Sequence, residues 1–262
     1  MLTQAHIHQF LQAHGISRDA TVLIHTSMRA LGEVENGCDG VIDAFCSYLC
    51  DGLLLIPTHT WNNVTAENPL YDVRTTPPCI GALPTVAAFR KDGIRSLHPT
   101  HSVAAFGKRA KAYVAGEERF TTPCPPEGVW GRLYEENATV LLIGVALNRN
   151  TYFHAVDEMI PLQGRLQEPF AVTVVDHEGT PRKARISHHQ NTGSENFTNF
   201  RAPMEALGAL TYGTLGNATV GILNARRATE IYRMLWERAD YPLCAEQKEI
   251  PLSYYADQLH MP

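Results

Sequence analysis

Apolar runs of strand length alternate along the chain with segments whose apolar residues recur at helical spacing. The clearest runs end in polar residues, and they read ATVLIHTS (20–27), GLLLIPTHT (52–60) and NATVLLIGVAL (137–147). Their apolar residues are continuous rather than alternating, which is typical of strands that helices cover on both faces. The pattern therefore predicts an α/β fold with three layers, helix, sheet and helix, around a mixed central sheet.

Further segments between these runs are predicted to be helical. In the first, Ile7, Phe10, Leu11 and His14 share one face, and Gly15 ends the helix. The others are 37–50, 83–93, the second half of 101–116 (after a strand in its first half), 151–160 and 226–239. Together with the apolar runs they give the alternation of strand and helix that is typical of α/β folds.

Two regions depart from this alternation. Residues 168–189 alternate in polarity around the turn-like tetrapeptide HEGT, and they predict a β-hairpin. The connection over residues 61–81 is polar, contains three prolines and is long for a compact domain, which is typical of a functional lid or a mobile segment. Because the chain has no internal repeat, low-complexity tract or Ser/Gly linker, residues 1–262 are predicted to form a single domain.

The composition is that of an ordinary globular protein. Hydrophobic residues make up 44% of the chain and charged residues 19%, and the formal net charge is −5. A nucleic-acid-binding protein would carry a basic footprint, so no nucleic-acid partner is expected. No stretch approaches the roughly 18 apolar residues of a membrane span, and the N-terminus lacks the features of a signal peptide. We therefore expect a cytoplasmic protein with six reduced cysteines and no membrane partner.

Polar clusters follow the three apolar runs. They read HTSMRALG (25–32), THTWNN (58–63) and GVALNRN (144–150). Ligands of α/β sheets bind beyond the carboxyl ends of the strands, and parallel pairing of these strands would bring all three clusters to one edge. The sequence therefore predicts a ligand site at that edge of the sheet.

The segment NRNTYFHAVDEM (148–159) supplies a candidate base for this site. Its His154 titrates near neutral pH and can take a proton from an attacking amine or hydroxyl. Asp157 and Glu158 follow three and four residues later, and on a helix either carboxylate would share the side of His154. A carboxylate bonded to the second ring nitrogen would fix the tautomer and stabilise the imidazolium. The alternative is a surface histidine with acidic helical neighbours.

The segment RSLHPTHSVAAFG (95–107) concentrates polar groups around one proline. Pro99 disfavours a helix at the preceding residue, so the segment is predicted to be extended or turned. Its hydroxyls, its backbone donors and Arg95 suit a phosphate or an amide-rich ligand, and its H-x-x-H spacing also permits a metal. HTSMRALG is a turn of the type that points backbone N–H groups at an anion. Neither a P-loop, nor a G-x-S-x-G elbow, nor a G-x-G-x-x-G fingerprint occurs.

The ordered motifs resemble the aminoglycoside 3-N-acetyltransferase family, also called the antibiotic N-acetyltransferase family. These motifs are HTSMRALG, PTHTW, RSLHPTHSVAAFG, ATVLLIGV and NTYFHAVDE, and the resemblance covers roughly residues 5 to 240. The string R-S-x-H-P-x-x-S-x-A-A-x-G is the most specific. The resemblance implies an enzyme that moves an acetyl group from acetyl-CoA, its co-substrate, to an amine. The implied acceptor is an aminoglycoside, a related amino sugar or another small amine, and no metal is implied.

The resemblance also implies roles for particular residues. His154 would be the general base, and it would be oriented by Asp157, where the family usually has Glu, or by Glu158. One side of the acetyl-CoA site would be formed by the turn residues Ser27, Arg29, Ala30, Leu31 and Gly32. The other side would be formed by Ser96, His98, Thr100, His101 and Ser102.

Fewer motif matches concern the residues that would bind the acceptor amine. Family members that act on aminoglycosides often have a longer segment after the second strand than this chain has at 61–81. In that segment Glu67 and Asp72 are candidates for binding a polycation, and solvated loop carboxylates are the alternative. His189 follows the predicted hairpin as a histidine does in related chains, and a plain histidine at the end of a hairpin is the alternative. With His59 it completes the candidate acceptor-binding residues.

Two other functions stay open on the sequence. A metal-dependent hydrolase could use some of the 12 histidines, although no H-E-x-x-H or carboxylate-rich ligand set is present. A non-catalytic module that keeps the CoA pocket is motivated by Asp in place of Glu at position 157. A homodimer is compatible with the sequence, but no feature requires one.

Overall fold

The computed structural model describes residues 1–160, 164–190 and 194–238, together with Ser253. The strands of this part are β1 (Thr21–Thr26), β2 (Leu53–Pro57), β3 (Leu70–Asp72), β4 (Ile94–Arg95), β5 (Val103–Phe106), β6 (Thr139–Ile143), β7 (Phe170–Val175), β8 (Pro181–Ile186), β9 (Leu210–Leu215) and β10 (Ala218–Asn224). A central sheet has the strand order β4-β5-β2-β1-β6-β10-β9, and a second sheet has the order β3-β7-β8.

Helices occur at each of the predicted positions, and three further short helices were not predicted. The helices are α1 (Gln4–Ala13), α2 (Met28–Leu31), α3 (Gly37–Tyr48), α4 (Ala82–Phe89), α5 (Ala110–Tyr113), α6 (Arg132–Glu135), α7 (Tyr152–Met159), α8 (Arg201–Ala206) and α9 (Ala225–Arg238), of which α2, α6 and α8 are the three that were not predicted. Short 3-10 helices cover Glu117–Arg119, Leu147–Arg149 and Ser194–Phe200. Ala239, the last residue of the predicted helix 226–239, lies outside the described residues. No helix within the described ranges is long and apolar enough to cross a bilayer.

The central sheet is mixed, as predicted. β1 pairs in parallel with β2 on one side and with β6 on the other. The outer strands β5, β4, β10 and β9 join by antiparallel pairing. The three apolar runs therefore direct their carboxyl ends to one edge of the sheet, which is the arrangement that a shared ligand site requires.

Side chains alternate between the two faces of this sheet and build a core on each. Leu23 and Leu55 pack on the face that α5, α6, α7 and α9 cover. Ile24 and Ile56 pack on the opposite face, which α1, α3 and α4 cover. Burying a side chain of this size contributes about 1.5–3 kcal/mol, so both helical layers are held mainly by apolar contact. The predicted three-layer α/β architecture is confirmed.

The connection over residues 61–81 is tied into the fold rather than forming the lid or mobile segment that its length predicts. Its middle forms β3, which pairs in parallel with β7 of the predicted hairpin. Tyr71 of β3 is fully buried, packs with Val174, and donates from its hydroxyl to the Ser96 carbonyl at 2.9 Å. The sequence did not reveal this strand because its three residues form a pattern only with a partner about 100 positions away.

A close backbone approach shapes the site edge of the sheet. Gly144 follows β6 with φ of +65°, and a Cβ at this residue would lie 2.2 Å from the Cβ of Ala30. Only glycine combines this conformation with this contact at no steric cost. α2 starts beside it, where the Ser27 hydroxyl accepts a hydrogen bond from the Ala30 N–H at 3.2 Å. This N-cap fixes the turn that follows β1.

Candidate active site

A cavity of about 670 Å³ opens at the carboxyl ends of β1, β2 and β6. β1 contributes His25 and Thr26, and the residue that follows β2, His59, lies opposite them. His154 of α7 and His189, which follows β8, complete the polar wall. The rest of the lining is Ile24, Ile56, Pro57, Trp61, Cys79, Ile80, Leu83, Pro84, His101, Val145, Asn148, Arg149, Asn150, Thr151, His188 and Ser194. The predicted site at this edge therefore exists as a cavity that the three strands share.

Buried polar atoms without a hydrogen-bond partner gather around this cavity. Those of its lining residues are His25 Nε2, Thr26 Oγ1, His59 Nδ1, both side-chain amide atoms of Asn150, His154 Nδ1 and His188 Nε2. A buried polar group with no partner costs about 1–3 kcal/mol, so a folded protein rarely keeps several in one place. Their concentration here makes the cavity a place where solvent or a bound ligand can supply the missing hydrogen bonds.

His154 lies in the first turn of α7 and faces the cavity. Its Nδ1 is 3.8 Å from Oδ2 of Asp157, which is longer than a hydrogen bond. Burial lowers the pKa of His154 to about 4, although the Asp157 carboxylate acts in the opposite direction. The imidazole is therefore neutral at pH 7, which is the state that a general base needs.

Asp157 is the buried carboxylate beside this ring. Arg165 donates to its Oδ2, and the Tyr232 hydroxyl donates to its Oδ1. Burial alone would raise the pKa of Asp157, but His154, Arg165 and Tyr232 outweigh burial and hold the pKa below its ordinary value. Asp157 is therefore ionised at neutral pH and fixed in place, so it can act on His154 by its charge.

Glu158 turns away from His154 and binds a different histidine. Its Oε1 lies 2.7 Å from Nε2 of His189, and it also accepts the backbone N–H of Cys124 at 2.8 Å. The two acidic residues that follow His154 therefore serve two rings, Asp157 for His154 and Glu158 for His189. Sequence spacing left the choice between them open because both residues lie within one helical turn of His154.

Burial disfavours the charged form of three further histidines of the cavity, His25, His59 and His101. Burial lowers the pKa of His25 to about 3, and it lowers the pKa values of His59 and His101 well below the usual range. His59 Nε2 is 2.9 Å from the Thr151 hydroxyl, and its ring lies 5.3 Å from that of Trp130. These rings therefore line the cavity as uncharged donors and acceptors rather than as cations.

Most polar residues of the segment 95–107 lie behind the cavity wall. His98 donates from Nε2 to the Thr122 carbonyl and accepts the backbone N–H of His101 at Nδ1. Three further residues of this segment that are predicted to bind the donor are also fully buried: Ser96, Thr100 and Ser102. His101 alone among the five lines the cavity. The structure uses this segment as a rigid support, and direct contact of its buried members with acetyl-CoA stays a prediction.

A second groove of about 670 Å³ adjoins the cavity on the side of the HTSMRALG turn. Val145 lines both spaces, which makes them neighbours. Of the predicted donor-binding turn, Ala30 lines this groove, and Leu31 lines a separate concavity beside the N-terminus. Ser27 and Gly32 are half-buried and Arg29 is exposed. Contact of these turn residues with the donor stays a prediction.

The candidate acceptor residues divide into two groups. His59 and His189 line the cavity. Glu67 is exposed and does not line it, and Asp72 is bonded to the Arg74 side chain, also outside the lining. The structure thus does not bring the two loop carboxylates to His154, and their role toward an acceptor stays a prediction.

One cluster of side chains that could ligate a metal ion occurs among the described residues. Ligand atoms of Cys124, Glu158 and His189 lie within 4.8 Å of one another. Glu158 is already hydrogen-bonded to His189 and to the Cys124 backbone, which accounts for the short distances. We therefore assign these residues to a hydrogen-bonded pair with a thiol beside it.

The sequence profile of the aminoglycoside 3-N-acetyltransferase family matches residues 23–237, most of the chain. This chain belongs to the aminoglycoside 3-N-acetyltransferase family. The family membership predicted from the motifs is confirmed, and with it the class of enzyme.

Two curated proteins of the same family are similar in sequence to this chain. Aminoglycoside N(3)-acetyltransferase VII of Streptomyces paromomycinus is 27% identical over 254 residues, which cover 86% of this chain and 88% of that protein. The SPbeta prophage-derived aminoglycoside N(3')-acetyltransferase-like protein YokD of Bacillus subtilis (strain 168) is 27% identical over 182 residues, 62% of this chain and 66% of that protein.

Solved structures of relatives share the fold. The crystal structure of YokD superposes with a TM-score of 0.79 at 22% identity, and the match covers 91% of this chain and 94% of that one. The structure of AAC-IIIb in binary complex with CoASH gives a TM-score of 0.78 at 19% identity, over 90% of this chain and 96% of that one.

The sequence assigned no individual role to several residues that line the cavity, although most of them lie in the polar clusters that predict the site. Asn150, Thr151 and Arg149 lie between β6 and α7, inside the quoted segment 148–159, but no spacing rule marked them. Trp61 lines the cavity although 45% of its surface is exposed. A polar stretch immediately after a parallel strand was the one available signal, and it indicates a site without ranking its residues.

Proposed function

We propose that the protein transfers an acetyl group from acetyl-CoA to the amine of an aminoglycoside, a related amino sugar or another small amine. His154 is the proposed general base, and Asp157 sets its charge environment. The observation that carries the proposal is His154, with Nδ1 unpartnered and 3.8 Å from the buried Asp157 carboxylate, at a cavity rich in unpartnered polar atoms. Family membership supports the reaction class.

The chemistry matches these residue types. An alkylammonium must lose a proton before its nitrogen can attack the thioester carbonyl, and a neutral imidazole can take a proton from the attacking nitrogen. Negative charge then develops on the carbonyl oxygen, and preorganised donors stabilise it. The Asn150 side-chain amide, buried at the cavity and without a partner, is the proposed donor. Collapse of the tetrahedral intermediate breaks the C–S bond, and the departing thiolate takes a proton from His154.

Donor binding is proposed along the two adjoining spaces. The thioester would lie in the cavity near His154, and the rest of acetyl-CoA would pass Val145 into the groove beside Ala30. The structure of AAC-IIIb was solved with CoASH, which supports CoA as the donor of this fold. The relatives' names support aminoglycosides as acceptors. Because acetyl-CoA is an intracellular metabolite, the proposal includes a cytoplasmic location. It also includes a single domain over residues 1–262.

Release of free thiol from acetyl-CoA tests this function. The acceptors to compare are gentamicin-type and kanamycin-type aminoglycosides, simple amino sugars and small primary amines. Acceptor-dependent release by the wild type, and its loss in His154→Ala, are expected. Saturable acetyl-CoA binding without release for any amine would favour a CoA-binding module instead. Stoichiometric zinc in purified protein, together with hydrolysis in place of transfer, would favour a metal-dependent hydrolase.

A further inference from the structure

The better-formed histidine–carboxylate pair at the cavity does not involve His154. His189 Nε2 and Glu158 Oε1 are 2.7 Å apart, and both side chains are more than nine-tenths buried. A carboxylate only accepts hydrogen bonds, so Nε2 of His189 carries the proton of this contact. The lone pair of the neutral ring is consequently on Nδ1. The backbone N–H of Cys124 fixes the carboxylate at 2.8 Å.

This pair stands next to the proposed base. The rings of His154 and His189 stack with centroids 4.5 Å apart, and both line the cavity. The two rings therefore border the same space, in which an acceptor amine would bind. Asp157, by contrast, is 3.8 Å from His154 and already accepts hydrogen bonds from Arg165 and Tyr232. Glu158 therefore lies within hydrogen-bonding distance of His189, whereas Asp157 is too far from His154 for a hydrogen bond.

Acetylation of an alkylammonium requires two proton removals from one nitrogen. The overall change is R–NH₃⁺ plus acetyl–S–CoA to R–NH–acetyl plus HS–CoA plus one proton. One proton must leave before attack, because a protonated amine has no lone pair. A second leaves as the C–N bond forms, and the CoA thiolate takes it when the C–S bond breaks. A single histidine that has accepted the first proton cannot accept the second.

We propose that His189 is a second catalytic residue, which removes the first proton from the acceptor ammonium, and that Glu158 positions it and stabilises its charged form. This inference rests on the proposed acetyltransferase function. His189 Nδ1 takes the ammonium proton, and the resulting imidazolium remains paired with Glu158. His154 then takes the proton released during attack and returns it to the thiolate. His189 passes its proton to water after each turnover.

The electrostatic surroundings of His189 come from several elements. Glu158 and His154 face it from α7, and His98 and His101 act on it from the connection before β5. The remaining neighbours are His188, His59 and the Cys124 thiol. Burial keeps His59, His98, His101 and His154 uncharged at pH 7, and burial raises the pKa of Cys124. Glu158 is the carboxyl group in hydrogen-bonding contact with His189 among the described residues.

Two matched acceptors separate a proton-transfer role from a structural one. One is the best primary alkylamine of the thiol-release assay, whose pKa resembles the lysine value of about 10.4. The other is its aminooxy isostere, in which oxygen replaces the methylene next to nitrogen and the amine is uncharged at pH 7. His189→Gln should lower kcat/KM for the alkylamine by about 10²-fold or more and for the isostere by less than about threefold. Raising the pH should restore the alkylamine rate, because the amine then loses its first proton to solvent.

Companion variants complete the test. His154→Ala should slow both acceptors, since the second proton is removed in either case. His188→Gln changes a neighbouring cavity histidine and should affect both acceptors by the same factor. Glu158→Gln keeps the shape of the side chain but removes its charge, and it should slow only the alkylamine, by about tenfold. Circular dichroism and thermal melting verify that each variant is folded.

The outcomes are distinguishable. Equal losses with both acceptors in folded His189→Gln, or no loss with either, would overturn the role of His189 and leave the proposed function standing. Wild-type protein that releases no thiol with any amine would overturn the proposed function itself, and this inference with it. A selective loss with the alkylamine that higher pH restores would establish the second proton acceptor.

Discussion

His154 and His189 stack against each other, with ring centroids 4.5 Å apart and ring planes inclined by 27°. The two rings reach this position from α7 and from the end of the β7–β8 hairpin. Each has its own carboxylate, and the two carboxylates, Asp157 and Glu158, are adjacent in α7. Both carboxylates therefore come from one turn of α7, and substitutions at Asp157 and Glu158 can test the two pairs separately.

Replacement of His154 by alanine should remove the base of the proposed reaction. We expect kcat to fall by about 10²- to 10⁴-fold, the usual contribution of a positioned base. The Kd of acetyl-CoA should change little, because many other residues line the cavity. Thiol-release kinetics and calorimetric titration measure the two quantities. His8→Ala, which changes a histidine of α1 bonded to the Ala44 carbonyl, is the control. Joint loss of folding and binding in His154→Ala would make the residue structural.

The fold and the location of the site could be predicted because local pattern determines both. Continuous apolar runs specify strands covered on two faces, and polar residues directly after parallel strands indicate the ligand edge. His154 was recognised as a candidate because its acidic neighbours lie on the same helix. β3 and the role of Tyr71 could not be predicted, since a three-residue strand acquires its pairing only from a distant partner.

The pairing within the site depends on contacts that sequence spacing does not contain. Glu158 binds His189, which is 31 positions away, and the Cys124 backbone, which is 34 positions away. Ser102 carries a hydroxyl typical of binding motifs, yet it is fully buried and bonded to the Thr58 carbonyl at 2.8 Å. Residue type thus identified polar candidates, but only tertiary structure separates those that line the cavity from those that support it.

Asp157→Asn should destabilise the protein and also slow the proposed acetyl transfer. The carboxylate is almost fully buried and accepts hydrogen bonds from Arg165 and Tyr232. Removing one charge of a buried pair typically costs about 3–5 kcal/mol, and we expect a loss of about 3 kcal/mol in the free energy of unfolding. Urea denaturation measures it. Asp72→Asn breaks the pair with Arg74, in which the arginine side chain is 47% exposed and Asp72 is half-buried, and should cost less than about 1 kcal/mol. Similar losses for both variants would contradict the difference in burial.

Asn150→Leu should weaken catalysis without weakening the fold. Both side-chain amide atoms of Asn150 are buried without a partner, so the substitution removes no internal hydrogen bond. We expect the free energy of unfolding to stay constant or rise by about 1 kcal/mol, because an unpaired polar group is replaced by an apolar one. kcat should fall if the amide stabilises the developing oxyanion. Thr60→Val is the contrast, since it removes the 2.6 Å hydrogen bond to the Pro99 carbonyl. A destabilised Asn150→Leu protein would show that the amide has an internal structural role.

Glu117 is a buried carboxyl outside the lining of the cavity. Its Oε1 accepts the backbone N–H of Val129 at 3.0 Å. Burial raises the pKa of Glu117 from an ordinary value of 4.5 to about 8, against the opposing effect of the Val129 hydrogen bond and of Arg132. The folded protein therefore holds this proton at neutral pH, whereas the unfolded chain releases it.

Glu117→Gln should change how stability depends on pH. Between pH 4.5 and about 8 the folded carboxyl binds more protons than the unfolded one, so this group makes stability fall as pH rises. We expect the variant to gain about 3 kcal/mol relative to wild type between pH 5 and pH 8, at 1.36 kcal/mol per pH unit and slightly less near the two pKa values, where titration is incomplete. Taking the difference from wild type is essential, because the buried histidines contribute a slope of opposite sign to both proteins. Urea denaturation at several pH values gives this difference, with the exposed Glu127→Gln as a control. A pH-independent difference between Glu117→Gln and wild type would mean that Glu117 is ionised in the folded protein throughout this range.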